Sequence, residues 1–315
     1  MRFAIFGVGA IGGYFGGRLA QAGEDVTFIA RGDHLQAMRK KGLRVDSING
    51  DFVVSPVTAT DDPAQIGVVD VVMVGVKTWQ VPVAAKSIQP LMGEDTLVLP
   101  LQNGVEAPTQ LAEILGRGHV CGGLAKIFSF IAAPGHIRHS GVEPYIGFGE
   151  LDNQRTARLE NLLRAFKRSG IKAEIAPDIT AALWAKFLFV ASWGGIGAIT
   201  RAPIGVIRSF AQTRRMLERS MQEIYDVARA LKINLEPETV SASMAFVDTL
   251  PPHGTTSMQR DIAENRPSEI DSWSGAVVRL GREAGVSVPT HEFVYSSLRP
   301  LELKARGELQ FPDAG

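Results

Sequence analysis

The chain has 315 residues and carries 33 basic against 33 acidic side chains, so its formal net charge is zero. That balance excludes the basic stripe of a nucleic-acid binder and the cationic face of a membrane-surface protein, and the length suffices for two domains of ordinary size. The one cysteine, Cys121, rules out an intrachain disulfide and fits a reducing cytoplasm.

The first stretch organises the rest. Arg2–Phe6 reads as a short apolar strand, and Gly7-Val8-Gly9-Ala10-Ile11-Gly12 follows at once. Ile11, Phe15, Leu19 and Ala22 then recur at helical spacing, Gly23-Glu24-Asp25 makes a turn, and Val26–Ile29 reads as a second strand. Strand, glycine loop, helix and strand is the order of a dinucleotide site. The first glycine permits the turn, the second lets a pyrophosphate approach the backbone, and the third lets helix and strand close up. The helix N-terminus offers N–H groups and a positive dipole end to the phosphates.

The tip of the second strand selects the cofactor. A site for NAD places Asp or Glu there to hold the ribose hydroxyls. This strand ends Ile29-Ala30-Arg31, with no acid. Arg31 suits a 2′-phosphate through its fork of donors, so the expected cofactor is NADP(H). The blander reading makes Arg31 a solvated loop charge and Asp33 a helix cap.

Asp33–Lys41 reads as a helix, and Asn49-Gly50 as the turn of a small hairpin before Phe52-Val53-Val54. Val68–Val76 and Thr96–Pro100 are continuous apolar runs, the sign of strands buried on both faces of a parallel sheet. Each ends in polar residues, Lys77-Thr78 and Gln102-Asn103-Gly104. In an open α/β sheet that end is where ligands sit. Read singly, Lys77 is a solvated charge and Asn103 a turn former. His119–Leu124, His136–Arg138 and Tyr145–Phe148 are expected to extend the sheet with antiparallel members, and Cys121 reads as core packing. Arg155–Ser169 is an amphipathic helix closed by Gly170, Ile171–Ile175 is the last strand, and Pro177-Asp178 is the expected domain seam.

From Ile179 onward the pattern is nearly all helical: Ile179–Ile199, Arg214–Leu231, Pro237–Leu250, Ser257–Ala263, Ile270–Ala284 and His291–Lys304. The expected layout is residues 1–177 as an NADP-binding α/β domain with a mostly parallel sheet, and 178–315 as an all-α substrate and catalytic domain. The N-terminus already reads as a strand, so no signal peptide is expected, and no uncharged apolar run is long enough to span a bilayer. Lys186 is the cation of the apolar stretch Ala182–Phe189. It either snorkels to solvent or is held in a cleft, where desolvation lowers a lysine's pKa and suits it to give a proton to a carbonyl oxygen. Ser257 reads as a helix cap after Pro252 and Gly254, and Glu269 and Asp271 as acids in a helix's first turn.

Together these residues resemble the ketopantoate reductase (2-dehydropantoate 2-reductase) family. The resemblance spans nearly the whole chain. It rests on Gly7-x-Gly9-x-x-Gly12, Arg31, Val76-Lys77, Gln102-Asn103-Gly104, Trp184-x-Lys186, Ser257-Met258 with Asp261, and Glu269-Ile270-Asp271. It implies a Rossmann-type domain followed by a helical domain like that of 6-phosphogluconate dehydrogenase. It also implies reduction of ketopantoate by NADPH on the way to pantothenate and coenzyme A. By this resemblance Gly7–Gly12 and Arg31 hold the pyrophosphate and 2′-phosphate, and Lys77 contacts the cofactor. Asn103 sits between nicotinamide and substrate, Lys186 is the general acid, Ser257 binds the substrate carboxylate, and Glu269 holds the cofactor side and orients the catalytic groups. No metal, nucleic acid or membrane partner is implied, and a homodimer is possible.

One departure weakens the substrate identity. The family's helix carries asparagines four and eight residues after the lysine, which bind the substrate's hydroxyl end. Here those positions are Val190 and Gly194, and Ser274 stands where an asparagine is common. Ser192, Trp193 and Arg201 are candidates to compensate, though spacing does not place them. Three readings follow: a ketopantoate reductase, a reductase of the same fold for another 2-oxo or hydroxy acid, and an NADP(H)-binding sensor without turnover.

Overall fold

Alternate residues of the first strand go to different cores, and this fixes the architecture of the N-terminal half. In Arg2–Phe6 (β1), Phe3 and Ile5 join one buried cluster while Ala4 and Phe6 join another. Val71–Val74 and Leu97–Pro100 divide in the same way, so the sheet is covered on both faces. The computed structural model describes residues 1–312. The further strands of this half are Asp25–Ile29 (β2), Leu43–Ser47 (β3), Phe52–Val54 (β4), Thr58–Thr60 (β5), Val71–Val74 (β6), Leu97–Pro100 (β7), Cys121–Ala133 (β8), His136–Glu150 (β9) and Lys172–Ile175 (β10). Its helices are Ala10–Gln21 (α1), Gly32–Lys41 (α2), Val81–Ser87 (α3), Ala107–Leu115 (α4) and Ala157–Arg168 (α5).

The first sheet is wholly parallel, in the order β5-β2-β1-β6-β7. The chain leaves β1 toward β2 on one side and returns to β6 on the other. This is a topological switch, and it puts the crevice at the C-terminal ends of β1 and β6.

The later strands do not extend this sheet as expected. β8 and β9 form a long antiparallel hairpin in a second sheet, ordered β10-β9-β3-β4 with β8 on β9. A parallel bridge, Val98–Val120, and the Cys121 thiol on Val98 O join this region to β7. β9 runs parallel to β3 and β10, so pairing with β3 competes successfully for a strand that adjacency in sequence assigned to the first sheet. α5 covers this sheet: Thr156 caps it through the Leu159 N–H, and Leu159, Leu162 and Phe166 are fully buried. The hairpin at Asn49-Gly50 forms as expected between β3 and β4.

The second half is helical: Ile179–Thr200 (α6), Ile204–Ser209 (α7), Ala211–Ala230 (α8), Thr239–Thr249 (α9), Ser257–Ala263 (α10), Ser274–Ala284 (α11) and Pro289–Ala305 (α12). Contacts divide the chain into Met1–Leu183 and a unit from Trp184 onward, so the division falls inside α6. The reason is packing. Ile179 and Leu183 cluster with Leu124 and Ala176 of the sheet unit, while Phe187, Leu188 and Ala191 are buried further along. α6 has the length and apolar composition to cross a membrane, but 67% of its most apolar window is buried inside the protein, as in a core helix.

Candidate active site

At the glycine edge the backbone sets the geometry. Gly7 has φ of +94°, where a side chain is strained, and a Cβ there would stand 2.6 Å from Val76 Cγ1. A Cβ on Gly12 would collide with the Gly7 carbonyl oxygen, so α1 can start this close to β1 only with glycine at that place. Beside Gly9 the space is open, with Gly75 O the nearest atom at 3.9 Å. Gly9 is the N-cap of α1, with no side-chain cap and no acid in the first turn. The first N–H groups of α1 are therefore left for an outside acceptor. An open cradle over uncapped N–H groups fits a pyrophosphate, the group a dinucleotide would place there.

The neighbouring strand tips complete this edge. Ile29 O accepts the Gly7 N–H at 3.2 Å, so the tip of β2 is tied to the glycine loop, and exposed Arg31 follows two residues on. Asp33 lies in the first turn of α2 and is not its cap. Lys77 follows β6 and opens a single 3₁₀ turn, its Nζ 5.9 Å from the Trp79 ring centroid. Asn103, half-buried, follows β7 next to Gly104, whose φ is +117°. Sequence reasoning did not give Gln102 a task. Gln102 is 5% exposed, and its Nε2 donates to Val74 O at 2.9 Å and Val76 O at 3.1 Å. It fastens the tips of β6 and β7 together and so fixes where Lys77 and Asn103 begin.

In the helical unit two distant segments meet on α6. A Cβ at Gly194 would stand 2.5 Å from Trp273 Cζ3 and 3.1 Å from Met258 Cε. The residues after Glu269 and beside Ser257 are therefore packed onto the helix that carries Lys186. Lys186 Nζ is shielded from solvent, so this lysine does not snorkel. Ser257 is the first residue of α10 rather than its cap. Thr256 caps the helix by accepting the Gln259 N–H at 3.1 Å. The hydroxyl of Ser257 is not used by the helix end.

Glu269 and Asp271 precede α11 and are not in its first turn, because the helix starts at Ser274. The turn that carries them is held from α12. Buried Glu302 accepts the Ser268 N–H at 2.8 Å and its hydroxyl at 2.6 Å. Asp271 accepts from Tyr295 Oη and from Arg299 Nη1, both at 2.9 Å. Glu269, itself buried, thus sits between two anchored neighbours. The N-terminus of α12 is held in turn by Glu223 of α8, which accepts the N–H groups of Thr290 and His291 at 2.8 and 3.0 Å. His291 lies between Ser220 and Ser274, and burial pushes its pKa down to about 4. No group of three or more His, Cys, Asp or Glu side chains gathers as a metal site among the described residues.

Two family models match this chain. "Ketopantoate reductase PanE/ApbA" covers residues 3–153, and "Ketopantoate reductase PanE/ApbA C terminal" covers residues 178–302. A 2-dehydropantoate 2-reductase of Nostoc sp. is 30% identical over 97% of this chain and 96% of that protein. A PanE/ApbA family ketopantoate reductase from Ralstonia eutropha JMP134 superposes with a TM-score of 0.89 at 32% identity, covering 97% of this chain and 100% of that one. A D-mandelate dehydrogenase in complex with NADH has a TM-score of 0.85 at 25% identity, covering 96% and 99%. Fold and glycine edge define a nicotinamide-dependent oxidoreductase with an α/β nucleotide domain and a helical second domain. Within that class, the chain belongs to the ketopantoate reductase family.

Proposed function

We propose that this protein is an NADPH-dependent 2-oxo acid reductase with ketopantoate as its first substrate, forming pantoate for pantothenate and coenzyme A biosynthesis. The observation that carries the reading is kinship over almost the full length to relatives named 2-dehydropantoate 2-reductase. Residues 1–177 form the nucleotide domain and 178–315 the substrate and catalytic domain. A cytoplasmic location is supported by a lone cysteine and by a mostly buried α6. A homodimer is compatible with the apolar second half.

In this reading Gly7, Val8, Gly9, Ala10, Ile11 and Gly12 present backbone N–H groups to the pyrophosphate, and Arg31 meets the 2′-phosphate with a bidentate fork. Lys77 and Glu269 contact the cofactor, and Asn103 touches both cofactor and substrate. Ser257 donates to the substrate carboxylate. When bound, NADPH supplies the hydride that reduces C2. The carbonyl electron pair moves onto oxygen, and Lys186 stabilises that developing charge and then gives it a proton. Shielding of Lys186 Nζ from solvent supports the assignment, since a desolvated ammonium acts more strongly on a nearby charge.

A second reading keeps fold and cofactor and changes the acid. It is favoured by Val190, and by Gly194 with Trp273 packed over it. The D-mandelate dehydrogenase neighbour supports it. Steady-state kinetics over a panel of 2-oxo acids, with NADPH and NADH in parallel, decides. Ketopantoate turnover with kcat/KM above about 10⁴ M⁻¹s⁻¹ supports the first reading, and a lower value beside a much better acid supports the second. Tight NADPH binding with no acid reduced would leave a sensor.

A further inference from the structure

His34, half-buried in the first turn of α2, joins stretches that lie far apart in the chain. Its Nδ1 accepts the N–H of Gly135, in the turn between β8 and β9, at 3.2 Å. That turn is pressed onto α2, since a Cβ on Gly135 would stand 3.1 Å from Ala37 Cβ. From the other side the Arg44 N–H of β3 donates to Gly135 O at 2.9 Å. The turn is therefore a fixed support for the ring.

The bond to Gly135 decides the tautomer. A ring nitrogen that accepts an N–H carries no proton, so the neutral imidazole has its proton on Nε2. Burial pushes the pKa of His34 down, and the Val8 carbonyl, which faces the ring, opposes this in part. The ring is thus neutral near pH 7. Nε2 is closed off from water and makes no hydrogen bond of full geometry among the described residues. With Nδ1 taken by Gly135, Nε2–H is the one ring donor that can meet the Val8 carbonyl.

Val8 lies inside the glycine loop, and its side chain shares a buried cluster with Leu35 and Met38 of α2. A trans peptide unit is planar and points its C=O and its N–H in opposite directions. Whatever holds Val8 O therefore aims the Gly9 N–H the other way. Gly9 stands at the uncapped start of α1, with open space beside it.

We propose that His34 is a positioning residue of the nucleotide site: braced by Gly135, it holds the Val8 carbonyl and so orients the Gly9 N–H toward a bound pyrophosphate. The inference rests on the nucleotide reading of the glycine edge. It differs from the role proposed for Arg31, three residues earlier, which concerns the 2′-phosphate.

Two amides separate the two ring nitrogens. Asparagine puts an acceptor near the place of Nδ1 and nothing at Nε2, whereas glutamine puts a donor near Nε2 and nothing at Nδ1. In the full chain, His34→Asn is expected to weaken NADPH about three- to tenfold in a fluorescence titration, the range for one lost hydrogen bond. NADH should weaken by the same factor, because both dinucleotides carry the pyrophosphate. His34→Gln should keep the affinity within about twofold of the unsubstituted protein. If His34 only secures the β8–β9 turn, glutamine is the damaged variant and asparagine the sound one, and the proposal falls. It falls too if the two variants bind alike. A loss confined to NADPH overturns it and assigns His34 to the 2′-phosphate.

A measurement on the unsubstituted protein needs no variant. Ring ¹⁵N shifts of His34 should report a proton on Nε2, and a proton on Nδ1 overturns the proposal. If the unsubstituted chain binds neither dinucleotide, the nucleotide reading fails, and hydrogen exchange of the free protein still decides on His34. Faster exchange over residues 7–12 in His34→Asn than in His34→Gln supports the hold on Val8, and equal exchange overturns it.

Discussion

The glycine edge of the sheet unit is built from backbone, and the α6 face of the helical unit from side chains. At the edge, Gly7 and Gly12 are needed because nothing larger fits between β1, α1 and the β6 tip. On α6 it is side-chain volume that is matched, with Gly194 under Trp273 and Met258. A backbone cradle recognises what every dinucleotide shares, its phosphates, and tolerates little change. A side-chain wall can exchange polarity for bulk by compensating substitutions. The two regions should therefore fail in different ways.

The largest effect is expected from Lys186→Ala. Loss of a general acid lowers kcat by about 10²- to 10⁴-fold, while NADPH affinity, measured by titration, is kept. Unchanged turnover removes Lys186 from the mechanism. Gly12→Ala should do the reverse. Its Cβ collides with Gly7 O, so α1 must shift from β1. We expect a stability loss of about 3 kcal/mol in denaturant unfolding and weakened NADPH binding in the folded fraction. Wild-type stability and affinity would show that the cradle is slack, and the contrast between backbone and side-chain walls would collapse.

His291 tests the support behind the α6 wall, because it bonds Ser274, the residue after Trp273. Its folded pKa, about 4, lies below the ordinary histidine value of about 6.5, so the unfolded chain binds the proton more readily. Its contribution is complete above about pH 6.5 and is lost as pH falls toward about 4, a change on the order of 3 kcal/mol. Denaturation across that window should show the slope, and His291→Gln should flatten it. A slope that survives the substitution comes from other groups.

The smallest effect concerns cofactor choice. Arg31 is exposed, so the contact proposed for it with a 2′-phosphate is partly screened. Arg31→Asp should move preference from NADPH toward NADH by about 10- to 100-fold in kcat/KM, from loss of a charge-assisted hydrogen bond and gain of a repulsive charge. No movement would mean that the β2 tip does not read the phosphate.

Legibility in the sequence followed the same division. The strand–loop–helix–strand order, the buried strand runs and the polar residues at their ends were readable because each depends on neighbours in the chain. Gly7 to Gly12 is one such local unit. The bounds of α10, Ser257–Ala263, were read correctly, but its cap was misplaced by one residue, since Thr256 and Ser257 both suit a cap by residue type and it is the Thr256 oxygen that accepts from Gln259 N. The second sheet was misassigned because β9 pairs with β3, far away in sequence. Gln102 was quoted for its motif and given no task. Its amide reaches Val74 and Val76, at the end of the preceding strand and 28 and 26 residues earlier, and no pattern within β7 reveals that.

The amino-acid order alone determined the dinucleotide fold, the acid-free tip at Arg31, and a single cation, Lys186, in an apolar helix. These are set by local backbone sterics, by period and by composition. Tertiary structure decided that Lys186 is shielded, that Glu269 sits in a turn braced by Glu302 and Arg299, and that Trp273 fills the place above Gly194. Those outcomes depend on volume and hydrogen-bond complementarity between residues distant in the chain, which no single segment announces.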